Sequence, residues 1–217
     1  MSIRPWLVRG VPRAAILTTG VAEIVKGDVF YGAFCIVALT ITLIPAIYAR
    51  SPDAGVPLEI ELALLWLMVT DMTLGNWLGL YVRLPWYDKV LHLSSSILLG
   101  TIGFLVVYVL HLTGRTRFHP WLDGVAILIV TLGIGALWEI AEYAVDGLLG
   151  RTTQTAPGFS RIDDTMTDLI LDGVGGIVGA VLGAQYIRRS KRSRKRVEAL
   201  AEIIAHRERV SATHFAV

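Results

Sequence analysis

The sequence predicts an all-α polytopic membrane protein, a bundle of six transmembrane helices with five as the fallback. Three observations carry this. Hydrophobic residues make up 54% of the chain and charged residues only 18%, against about 25% charged in ordinary globular domains. Mean hydropathy is +0.60. The apolar residues gather in runs near the roughly 20 residues that a spanning helix requires. The length of 217 residues suits one compact unit.

The runs follow in order. Residues 8–25 form the least secure one, because Arg9, Arg13 and Glu23 interrupt it. It either spans or lies in the interface. The two arginines and the lack of a small-residue cleavage site also argue against a cleavable signal peptide, so the first helix would direct insertion. Residues 29–48 are clean, with Pro45 in the last turn. Residues 60–82 carry Asp71 and Asn76. Residues 89–112 and 165–187 are further spans, and 121–149 is long enough to tilt or protrude. Polar connections occupy 50–55, 114–117 and 150–161.

Residues 1–187 read as the membrane domain and 188–217 as a basic tail. The block 188–196 is nearly all Arg and Lys, and such a block after an apolar helix stays in the cytoplasm. With six spans both termini are then cytoplasmic. Nucleic-acid binding is the rival reading of this block and ranks well below the membrane one, since the block abuts a span and has no interleaved aromatics, so no nucleic-acid partner is expected. Within the tail, residues 197–210 form a short helix with Val197, Leu200, Ala201 and Ile204 on one side. It either rests on anionic lipids or frays in solvent. The single cysteine, Cys35, is read as a small buried hydrophobe.

Ionisable groups inside spans are costly and ask for a reason. They collect at three helix ends. Asp88 and His92 are four apart at the start of the fourth span. Glu139 and Glu142 are three apart at the end of the fifth. Asp164, Asp168 and Asp172 repeat every four residues at the start of the sixth. Each set shares one helical face, and the topology places all three ends on the outer side.

Convergence of so many acids demands protonation, cation pairing or a bound metal. A histidine–carboxylate set of Asp88, His92, Glu139, Asp164 and Asp168 suits zinc, manganese or iron. A metal there activates water, with Glu142 as spare base and Lys89 holding an anionic group. A structural polar knot and a proton or cation path past Asp71 stand beside this reading.

Other features have plainer accounts. Gly175, Gly179 and Gly183, with Gly176, Ala180 and Ala184, are small residues at the spacing that lets helices pack closely. Trp77, Tyr81, Trp86 and Tyr87 form an aromatic belt at one boundary, while His111 and His119 read as loop residues at the other.

The run Gly75-Asn76-Trp77-Leu78-Gly79-Leu80-Tyr81, then Pro85-Trp86-Tyr87-Asp88-Lys89-Val90-Leu91-His92, resembles the YjdF-like family of bacterial inner-membrane proteins. So do Leu137-Trp138-Glu139-Ile140-Ala141-Glu142-Tyr143 and Asp164-Thr165-Met166-Thr167-Asp168-Leu169. The resemblance implies a multi-pass protein of the bacterial inner membrane. Asp88, Lys89 and His92, with Glu139 and Asp168, are also similar to the polar blocks of VanZ-like proteins, which implies a link to the cell envelope.

The leading functional expectation is a metal-dependent hydrolase acting on a lipid or lipid-linked substrate at the outer leaflet. An ion- or proton-coupled transporter and a non-catalytic membrane scaffold are the alternatives.

Overall fold

The computed structural model describes residues 5–43, 56–116 and 118–214. Pro45, Arg117 and the connection 50–55 lie outside them. Every regular element among the described residues is helical. Helix α1, Pro5–Lys26, turns at Gly27 (φ +97°) into α2, Val29–Ile41. Asp28 caps α2 by accepting from the Tyr31 backbone N–H at 3.0 Å. Gly32 lets the pair pack tightly, since a Cβ there would meet the Gly20 carbonyl at 2.6 Å.

Helix α3, Leu58–Met68, leads directly into a π-helical segment, Val69–Trp77. The Leu78 N–H reaches the Thr73 carbonyl, five residues back, at 2.9 Å. The sequence read 60–82 as one apolar span. The winding instead widens at Val69 and stops at Gly79 (φ +73°), and a short α4, Leu80–Arg83, follows. Tyrosines secure the wider turns: Tyr87 Oη donates to the Thr70 carbonyl at 2.7 Å, and Tyr31 Oη to that of Met72 at 3.4 Å.

Helices α5, Tyr87–Leu112, α6, Pro120–Leu149, and α7, Arg161–Arg189, are each long and apolar enough to cross a membrane. Pro120 sits at the first position of α6, where its missing N–H costs nothing. Ser160 opens α7 by accepting from the Asp163 N–H at 3.2 Å. The outer faces are apolar and uncovered: Leu137 is 66% exposed and Ile170 62%. A water-facing monomer seldom carries so continuous an apolar belt. The chain is a polytopic helical membrane bundle.

The most intimate packing is α5 against α7. A Cβ on Gly175 would press on Ser96 Cβ at 2.7 Å, and one on Gly183 on Phe104 Cβ at 2.8 Å. On Gly179 it would run into the Ile97 carbonyl oxygen. Gly176 faces α6, with Thr131 Cβ at 3.0 Å, and also meets Gly100 of α5. The glycine rows are therefore the α5–α7–α6 contact.

The two arginines that made the first run doubtful share one carboxylate of the bundle. Arg9 donates to both Glu61 oxygens, at 2.9 and 3.0 Å from Nε, and Arg13 reaches Glu61 Oε1 at 3.1 Å. The same end of the molecule holds the last turn of α7, where Tyr186 Oη donates to Glu59 at 3.0 Å.

The tail helix α8, Lys191–His214, begins earlier and extends further than 197–210. Val197 and Ala201 are buried, and Val197 packs in a cluster with Leu105 and Ile187. The apolar side of the tail thus lies on the bundle. Lys191, Arg192, Arg194 and Lys195 stay exposed.

Candidate functional site

At the end opposite the tail, α5 contributes Asp88, Lys89 and His92, α6 Glu139, and α7 Asp164, Asp168 and Asp172. All three acids of α7 are about 1% exposed, because the stripe continues the face whose glycines press on α5. Helix register thus draws the acids inward, and cations must answer them.

Lys89 gives the first answer. Its Nζ lies 3.0 Å from Asp88 Oδ2, 2.5 Å from Asp164 Oδ1 and 2.5 Å from Asp168 Oδ2. Its stem leaves the ammonium 5.0 Å from the centre of the Phe159 ring. The ammonium has three protons to donate, so these carboxylates occupy it. His92 contributes an imidazole from the same face of α5. Its Nδ1 lies 3.3 Å from Asp172 Oδ1, while Nε2 lies 3.7 Å from Glu139 Oε1 and 3.9 Å from Asp88 Oδ1.

The remaining oxygens are mostly held by neutral donors. Ser96 Oγ donates to Asp172 at 2.6 Å, Thr165 Oγ1 to Glu139 Oε2 at 2.7 Å, and the Ala156 N–H to Asp164 at 2.8 Å. The loop between α6 and α7 folds over this end. Asp146 holds it there by accepting from the Thr153 N–H at 2.6 Å and the Gln154 N–H at 3.1 Å. Among the described residues, the buried Glu139 Oε1 and Asp168 Oδ1 have no hydrogen-bond partner, and Asp164 Oδ1 has only its ion pair with Lys89.

One ligand atom from each of Asp88, His92 and Asp168 lies within 4.8 Å of the others, close enough for a single ion to touch all three. Of the other residues expected to bind metal, Glu139 adjoins His92, and Asp164 is taken up by Lys89 and the Ala156 N–H. Glu142 sits one turn beyond Glu139, half-buried, and accepts from its own helix's Trp138 Nε1 at 3.0 Å. The sequence reading did not find Ser96, Thr165 or the 153–156 backbone. Ser96 had a signal, lying one turn beyond His92 on the same face; the loop contacts had none.

Beside the donor set is a cavity of about 210 Å³ that Asp88 and His92 themselves line. Asp71, from the π-helical segment, lines it too and accepts from Tyr81 Oη at 2.7 Å. Away from the bundle interior, Asp28 pairs with Arg151 at 2.5 Å, tying the start of α2 to the end of α6. The hydrogen bond from Arg151 holds the Asp28 carboxyl below its ordinary value.

An uncharacterised protein of Thermotoga maritima is 30% identical over 154 residues, covering 69% of this chain and 72% of its own length. No solved structure matches. The description of that relative names no activity. Residues 5–189, the whole bundle up to the end of α7, match the family described as "Predicted membrane protein (DUF2238)", and the chain belongs to that family.

Proposed function

We propose that the chain is a divalent-cation-dependent hydrolase of the bacterial inner membrane, acting on a lipid or lipid-linked envelope substrate. The observation that carries this reading is the shared wall: Asp88 and His92 belong both to the three-residue donor set with Asp168 and to the cavity lining. An imidazole with carboxylates is a donor set for zinc, manganese or iron. Such an ion supplies Lewis acidity and a more acidic bound water. The unpartnered Oε1 of Glu139, beside His92, would accept a proton from such a water, and Glu142 stands one turn behind it. Lys89 acts as the fixed counter-charge of Asp164 and Asp168, not as a phosphate ligand, since its protons are already shared among carboxylates.

The membrane orientation belongs to the same proposal. Six spans, a membrane domain over 1–187 and a cytoplasmic tail over 188–217 put the site in the outer half of the bilayer. The exposed basic side of α8 would meet anionic headgroups. A cation- or proton-coupled transporter is the second reading, favoured by Asp71 sharing the cavity. The packing of Gly176 and Gly179 directly beyond Asp172 speaks against a route onward.

The test is headgroup release from liposomes of envelope lipids containing the purified chain, with zinc, manganese or ferrous iron added and then chelated. The reading expects cation-dependent release that Glu139→Gln lowers ~100-fold or more, the usual scale for a lost general base. Ion-gradient-driven uptake with no release under any cation would favour the transporter.

A further inference from the structure

We propose that the cavity beside the donor set seats a single hydrocarbon chain, which enters sideways from the bilayer between α3 and α6 and presents its polar head to Asp88 and His92. This rests on the hydrolase reading only for what happens at the head.

The lining is graded along the helix axes. On α5 it runs from Asp88 and His92 through Ser95 and Ser96 to Leu99. These twelve residues of helix span ~16 Å. α3 and α6 run antiparallel to α5, and their deeper contributions, Leu64, Leu67 and Ile134, are apolar. Asp71 and Tyr81 join the polar end. The far end, with Leu64, Leu67, Leu99 and Ile134, is apolar, while Asp71, Tyr81, Asp88 and His92 gather at the near end beside Leu91 and Trp138, with Ser96 and Asp172 between, a gradient that suits an amphiphile. A water-soluble substrate would gain nothing from the apolar half.

The opening faces hydrocarbon. Ile134 and Trp138 line the cavity yet are 42% and 41% exposed. They sit on the same uncovered apolar surface as Leu137. α3 and α6 hardly touch each other, so the cleft between them is a lateral entrance.

Size narrows the ligand. About 210 Å³ is less than the roughly 300–1,000 Å³ of pockets that enclose a whole small molecule. Spread over ~16 Å of helix, it is one chain wide, so a second chain or a long tail would remain in the bilayer. The π-helical segment contributes Asp71 to the wall, beside Leu64, Leu67 and Met68 of α3. Such π turns recur at functional sites.

The test uses 1-dodecanol carrying a diazirine near the end of its chain, photolysed with the protein in nanodiscs and mapped by peptide mass spectrometry. Its uncharged head makes seating independent of metal. The proposal expects labels concentrated on the peptides holding Leu64, Leu67 and Leu99. Leu99→Trp and, from the opposite wall, Leu67→Phe each lower them ~tenfold at unchanged melting temperature. Leu137→Trp on the outer face leaves them unchanged. Labels spread over the outer faces of α6 and α7, or labels insensitive to both cavity variants, overturn it. Metal content of the same samples separates the two ideas. A metal-free chain that still seats the probe contradicts the hydrolase reading alone, and a metal-bound chain with no localised label contradicts this one alone.

Discussion

Replacing Lys89 by Met isolates the electrostatics of the polar centre. The side chain keeps most of its length and loses its charge. Asp88, Asp164 and Asp168, which now lie 2.5–3.0 Å from the ammonium, are left facing one another. Lys89 itself is only 11% exposed and Asp164 and Asp168 1%, so water cannot take over its role. Removing one partner of a buried ion pair costs about 3–5 kcal/mol. At roughly 2–4 °C per kcal/mol for a chain of this size, the melting temperature in detergent should fall by ~6–20 °C. Lys89→Arg, which keeps the charge, should lose far less. Adding Asp168→Asn to Lys89→Met should recover part of the loss, because one of the stranded charges is gone. Thermal unfolding followed by tryptophan fluorescence reads all three variants. A drop below ~2 °C for Lys89→Met would refute the view that Lys89 is the principal counter-charge of the site.

Other outcomes follow from the packing and the surface pair. Gly179→Ala should destabilise by about 1–3 kcal/mol, because the new methyl runs into the Ile97 carbonyl. Gly133→Ala, with nothing within 4 Å of the added carbon, should instead gain up to about 1 kcal/mol of helix propensity; melting curves of both check the contact map. The Asp28–Arg151 pair has a pH signature. Its carboxyl titrates below the unfolded value of 3.8 when folded, so its contribution is present above that pH and vanishes as pH falls through the folded value. The melting-temperature gap between wild type and Arg151→Ala should therefore close as pH is lowered past 3.8, and a gap that persists would show that Arg151 acts by packing on Phe30, whose ring centre lies 5.3 Å from its guanidinium.

Much of the scaffold was legible in the sequence. The spans containing α5, α6 and α7 announced themselves by length and apolarity. The spacing of Asp88 and His92, and of Asp164, Asp168 and Asp172, gave the faces that meet. Those are local properties, fixed by the period of the helix. The pairings were not legible, because they join residues far apart in sequence. Nothing local says that Arg9 and Arg13 find Glu61, 52 and 48 residues on. Nothing local says that Asp172, not Asp168, faces His92 Nδ1, or that Lys89 gathers three acids at once. The π-helical turn was hidden for another reason. Residues 69–77 read as ordinary apolar helix, and the wider winding is stabilised by tyrosine hydroxyls from α2 and α5. The tail was half legible: its apolar positions were right, but the surface they cover is the end of the bundle.

Metal content of the purified chain tests the central claim most directly. Protein prepared without chelator, then analysed for zinc, manganese and iron beside His92→Ala and Asp168→Asn, should carry about one divalent ion per chain, as a single histidine–carboxylate site requires, and lose it in both variants. Wild type that stays metal-free after incubation with each ion, or metal that survives both substitutions, would contradict the assignment of Asp88, His92 and Asp168 as a metal centre.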